Sequence, residues 1–164
     1  MIAERVAAMR QAGAEVVIVS LHVSKELTAG SVPEDRFLVS TLTAAADVDA
    51  VFIHGPHVVH PIGWVNGTPV WWSVGNFFTQ MGPGSSGKYD DGRVTDGLLA
   101  HVRFHHDGSR FVATPAAIAI CNDFVDWTVR SATIGLREPT ISARVRTELT
   151  NCLARIRAVF PGTR

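Results

Sequence analysis

Apolar positions fall at helical spacing over residues 2–12, where Ile2, Val6 and Met9 share a face and Gly13 supplies a stop. The period then changes. Glu15-Val16-Val17-Ile18-Val19-Ser20-Leu21 is a nearly continuous β-branched run ending at His22, the mark of a buried strand. Pro33 and Glu34 open a second helical pattern, with Phe37, Leu38, Leu42 and Ala45 on one face. Asp47-Val48-Asp49 leads into another apolar run at 50–53, which breaks at His54-Gly55-Pro56. Helix, strand, helix, strand predicts a βαβ unit with parallel strands and a right-handed crossover.

The second half changes character. Pro61 to Trp64, the turn Asn66-Gly67 and Pro69 to Val74 read as a hairpin, Asn-Gly being the strongest two-residue turn signal. Residues 79–95 are rich in glycine and serine and predict a loop. Leu98 to His106, the turn Asp107-Gly108 and Arg110 to Ile120 predict a second, longer hairpin. No period is evident over 121–140. From Ile141 to Phe160 the helical stripe returns, through Ile141, Val145, Leu149, Leu153, Ile156 and Val159, and Pro161-Gly162 ends it. There are no internal repeats. The expected class is α/β, with helices packed on mixed sheets in layers.

Composition narrows what such a fold can do. The 164 residues suffice for one substantial core, and 46% hydrophobic content marks a folded chain. Fifteen basic and fifteen acidic side chains balance to zero with no basic run, so no nucleic-acid footprint is expected. No run of 18 apolar residues predicts a transmembrane span. The start, Met-Ile-Ala-Glu-Arg, has no signal-peptide core, so the sequence taken literally predicts a chain that stays where it is made. Cys121 and Cys152 fit neither a metal pair nor a disulfide framework, and read as two buried free thiols.

The candidate chemistry lies in histidines. Three of the seven, His54, His57 and His60, fall around the Gly55-Pro56 break, and His22 leaves the end of the preceding strand. Ligands gather at the carboxyl ends of parallel strands. Neighbouring strands lie about 4.8 Å apart, so imidazoles from two such ends can converge on one ion. Glu26, four residues past His22, is a candidate to orient that histidine with its carboxylate or to act as a general base. Asn76, after Gly75, offers an amide to a polar ligand or a turn. Trp71 and Trp72 point to opposite faces of their strand, at least one into the core. His101, His105 and His106 surround the exposed Asp107-Gly108 turn and read as turn chemistry. No nucleophile elbow and no glycine-rich phosphate loop is present.

Three ordered blocks, Val17-Ile18-Val19-Ser20-Leu21-His22, then Val51 to Pro61, then Gly67 to Phe77, resemble the C-terminal half of the CapA family. These are bacterial poly-γ-glutamate capsule-synthesis proteins related to calcineurin-like metallophosphoesterases. The resemblance implies a layered α/β/β/α metallophosphoesterase-like sandwich, of which residues 1–140 form the C-terminal portion and 141–164 a closing helix and tail. It implies His22 and His57 as metal ligands, with His54 a third candidate, and Glu26 and Asn76 as catalytic residues that position substrate or ligands. The implied cofactor is a pair of divalent ions, Mn, Fe or Zn, and the implied substrate a phosphorylated or polymer-precursor molecule. Localisation stays open, since such proteins are often membrane-anchored and extracellular. Departures are visible. Val23-Ser24 replaces Trp-Gly, Leu27 replaces tyrosine, His60 replaces glutamine, and Gly55 stands where the first histidine of a His-x-His pair is expected, with His54 one place earlier. The family's aspartates and Asn-His motif are expected before these blocks, so the chain reads as half a site, completed by a partner chain or a second copy. The alternatives are a non-catalytic binding or assembly subunit and a truncated fragment with an uncovered sheet edge.

Overall fold

The computed structural model describes residues 1–23, 25–82 and 92–163. Its first half is the βαβ unit expected from the apolar runs. Helix α1 (Ile2–Gln11) leads to strand β1 (Ile18–His22), helix α2 (Pro33–Ala45) and strand β2 (Ala50–His54). β1 and β2 are parallel, with Ile18 opposite Ala50 and His22 opposite His54. Strands β3 (Ile62–Val65) and β4 (Thr68–Trp71) form the Asn66-Gly67 hairpin, and β4 pairs in parallel with β2, giving the order β1-β2-β4-β3. Asn66 and Gly67 both take positive φ, as a tight two-residue turn requires.

β2 alternates between two cores. Val51 and Ile53 join Val70 and Trp72 against Val6 of α1 and Val39 and Leu42 of α2. Ala50, Phe52 and Trp71 face the other way, and the Phe52 and Trp71 rings stack at 4.4 Å between centroids. Both tryptophans are therefore core, one on each face. The stripe expected on α2 is rotated. Asp35, Val39 and Leu42 are buried, whereas Phe37 is 76% exposed. At 3.6 residues per turn, Phe37 lies about 200° from Val39, so a helix that buries Val39 must turn Phe37 outward. In α1, Val6 alone of the expected stripe is buried, and Ile2 and Met9 stay exposed.

A single 3-10 turn (Gly92–Thr95) precedes the long hairpin of β5 (Asp96–His106) and β6 (Phe111–Asp123), to which β7 (Thr128–Ser131) adds a third antiparallel strand. Of the loop expected over 79–95, residues 83–91 lie outside the described residues. Strand β7 and the short helix α3 (Ala132–Gly135) occupy the stretch that showed no period. The two sheets meet where Gly75 bridges Gly97, with the Leu98 N–H donating to the Val74 carbonyl at 2.7 Å. A Cβ on Gly75 would run into the Asp96 carbonyl, and one on Gly97 into that of Asn76, so this crossing needs glycine on both strands.

Helix α4 (Ala143–Val159) lays Val145, Leu149, Leu153 and Ile156 into the core shared by the two sheets. The Ser142 hydroxyl caps its first turn by accepting from the Val145 N–H. Arg155 clamps the buried Asp96 carboxylate with two hydrogen bonds, at 2.8 and 2.6 Å, fixing α4 to the start of β5. Here the structure corrects the expectation of free thiols: Cys121 of β6 and Cys152 of α4 form a disulfide, Cα atoms 6.3 Å apart. Each lies on the inward face of its element, and packing α4 on β6 brings the two into bonding range. The whole is a mixed α/β fold of two sheets flanked by helices. Among the described residues, no helix is long and apolar enough to cross a membrane.

Candidate metal centre

Parallel pairing in register puts the side chains of residues opposite one another on the same face of a sheet. His22 and His54 are such a pair, at the carboxyl ends of β1 and β2. The Val23 N–H donates to the His54 carbonyl at 2.9 Å, carrying the pairing one residue past the strand. Burial lowers the pKa of His54, and the neighbouring His22 lowers it further, so His54 is held neutral and able to donate a lone pair.

The chain then turns at Gly55, where φ is +125°. A Cβ there would collide with the Val23 carbonyl. A histidine cannot stand at position 55 in this loop, and the strand delivers His54 instead. His57 follows at a φ of +62°, and Leu27, in the loop that faces it, takes +59°. Two left-handed non-glycine residues in facing loops are a concentration of backbone strain, of the kind that surrounding structure holds in place at functional sites.

Those loops are laced together. The Leu27 N–H donates to the Pro56 carbonyl at 2.9 Å, and His60 Nε2 donates to the Thr28 carbonyl at 2.7 Å. His60 is 0% exposed and serves as this structural tie. The lacing brings Glu26 to His57, with Oε1 at 4.0 Å from Nε2. On its other side His57 meets Asn76, Nδ1 lying 2.9 Å from Oδ1. Asn76 follows β4 and is held in turn. Its backbone N–H donates to the Asp96 carbonyl at 3.1 Å, and its Nδ2 to the Val94 carbonyl at 2.9 Å. The carbonyl of Val94, in the 3-10 turn, has no side-chain signature, so the sequence alone gave no way to find it.

The five candidate residues thus gather at one end of the first sheet as a His22–His54 pair and a Glu26–His57–Asn76 chain. Among the described residues, no three His, Cys, Asp or Glu side chains close into a set able to hold an ion. The remaining histidines are elsewhere. His101 and His105 lie on β5, and His106 accepts from the Gly108 N–H while its ring meets Phe111 edge-on, the turn role expected of it.

Residues 1–81 match the sequence profile of the bacterial capsule synthesis protein family PGA_cap. Over those residues, just under half of its length, the chain is similar to that family. The matched segment runs from α1 past Asn76, and so contains all five candidate residues. The PGA biosynthesis protein CapA of Bacillus subtilis (strain 168) is 31% identical over 108 residues, which are 64% of this chain and 26% of that protein. The chain therefore spans about a quarter of the length of that curated relative.

Proposed function

We propose that this chain is the histidine-bearing part of a CapA-like, metallophosphoesterase-type centre that acts in the synthesis of poly-γ-glutamate or another cell-envelope polymer. The in-register His22–His54 pair carries the reading: two imidazoles on one face at the carboxyl ends of parallel strands, one of them kept neutral by burial. The donor set suits a divalent ion that accepts nitrogen, such as zinc, iron or manganese. His22, His54 and His57 would hold it, with Glu26 and Asn76 orienting His57 and the substrate. When bound, the metal would supply a hydroxide at neutral pH and polarise a phosphate or related ester.

A two-ion centre needs bridging carboxylates, and we place these outside the described residues, on another segment of the polypeptide or on a partner chain. The state of β1 supports this. It pairs with β2 alone among the described strands, and Ile18 at 46% and the neighbouring Ser20 and His22 are exposed, so a further strand has both backbone and side chains to meet. The disulfide favours assembly in an oxidising compartment. Gly55 favours a second reading, a non-catalytic binding subunit, because a metal-binding histidine cannot be restored at that position.

Metal content of the purified chain, with His22→Ala and His57→Ala alongside, separates the readings. Near two ions per chain, lost in both variants, means that carboxylates beyond the described site, or from a second copy of the chain, complete the centre, and it justifies phosphoesterase assays. One ion, lost in both variants, with no turnover supports the binding subunit. Metal content that ignores both substitutions removes these histidines from any site.

A further inference from the structure

We infer that Asn76 fixes His57 in its Nδ1–H tautomer, so that Nε2 is the nitrogen His57 presents to the site. What Nε2 does there rests on the function proposed above; which nitrogen it is does not.

The reasoning starts from the amide, whose two ends differ. Asn76 Nδ2 lies 2.9 Å from the Val94 carbonyl oxygen and 3.4 Å from the carbonyl oxygen of His57 itself. Both are acceptors, so that end must be the NH2 group. A flipped amide would set its oxygen against two carbonyl oxygens and leave two acceptors without their donor. Oδ1 is therefore the end that faces His57, at 2.9 Å from Nδ1. An amide oxygen accepts and never donates, so the proton must be on Nδ1. In the neutral ring the lone pair then resides on Nε2, the nitrogen on the Glu26 side. The backbone fixes the amide in place. The Asn76 N–H is committed to Asp96, and the glycine crossing of Gly75 and Gly97 lets the two strands approach closely enough for that bond.

His60, three residues on, has the opposite assignment. Its Nε2 faces the Thr28 carbonyl at 2.7 Å, so Nε2 carries the proton. One loop thus holds two histidines in opposite tautomers, and the second is an internal control for the first.

The test is a long-range proton–nitrogen correlation spectrum of the metal-stripped, 15N-histidine-labelled chain, recorded well above the ordinary imidazole pKa of about 6.5. The expected pattern is Nδ1–H for His57 and Nε2–H for His60. Asn76→Ala should release His57 to the Nε2–H form while His60 keeps its pattern. An Nε2–H pattern for His57 in the native chain overturns the inference, as does an Asn76→Ala spectrum in which His57 is unchanged. If Asn76→Ala loses the His60 signature through misfolding, the native spectrum decides on the same criterion.

Zinc then reads the consequence. It should shift Nε2 of His57 with Nδ1 still protonated, and bind about 10–100-fold more weakly to Asn76→Ala. Zinc on Nδ1 overturns the inference. Zinc that does not bind at all refutes the proposed metal centre and leaves the tautomer result standing.

Discussion

Joining Cys121 to Cys152 closes a loop of 31 residues across the β6–α4 packing. The stabilisation expected from that closure can be worked from loop length. The chain-entropy relation gives about 12 cal/mol/K for a loop this long, or about 3.7 kcal/mol at 25 °C. That is a shift of about 500-fold in the folded-to-unfolded ratio, and about 7–15 °C in Tm for a domain of this size. Both sulfurs sit in the core, so the perturbation must separate loss of the cross-link from loss of packing. Urea unfolding of the oxidised chain, the reduced chain and the Cys121→Ala/Cys152→Ala variant does so. Reduction should lower stability by about 3–4 kcal/mol, and the double variant should fall further by whatever packing the sulfur atoms provide. Equal urea midpoints for oxidised and reduced chains would refute the reasoning. So would two reactive thiols in the denatured, unreduced protein, because the bond would then not exist.

Two further outcomes follow from the site loops. Gly55→Ala places a Cβ against the Val23 carbonyl at a φ of +125°, and should cost about 1–3 kcal/mol in urea unfolding; an unchanged midpoint would mean that the loop relaxes freely. Burial lowers the pKa of His60, so the folded state binds its proton less readily than the unfolded state, whose value is near 6.5. Its contribution to stability is therefore full above pH 6.5 and is lost as pH falls through and below that value. His60→Gln keeps a donor for the Thr28 carbonyl and does not titrate, so it should lose less stability between pH 7 and 5; parallel profiles would show that His60 plays no part in the acid response.

Much of the fold was legible because local signals agreed. β-branched runs ending at His22 and His54, Asn66-Gly67 between two apolar stretches, and the Val145–Ile156 stripe each name one element and one orientation. Where the reading failed, tertiary contacts decided. α2 offers two apolar faces, and the one chosen is the one that meets Val51 and Ile53, leaving Phe37 in solvent. β7 and α3 were missed because their order comes from outside the segment: Asp123 accepts from Arg130 across the turn, and Gly135 packs against Leu149 of α4. The disulfide was illegible for the same reason, since two cysteines 31 residues apart carry no pairing signal until α4 lies on β6.

The site divides along the same line. Residue types and strand ends made His22 and His54 candidates, because a histidine at the end of a buried strand is visible in the sequence, and His57, Glu26 and Asn76 became candidates as polar residues of the adjoining loops. What joins them was not visible, because it runs through backbone carbonyls that every residue possesses. Pro56, Thr28, Val94 and Asp96 contribute carbonyl oxygens that lace the loops, lock His60 and orient the Asn76 amide. This explains the apparent displacement from the family pattern. The Val23 carbonyl occupies the space that a side chain at position 55 would need, so the ring that pairs with His22 must come from the last residue of β2. His54 is thus the member of the expected pair that this backbone can present, and the geometry of His57 is set from the other side, by an amide whose direction two carbonyls determine.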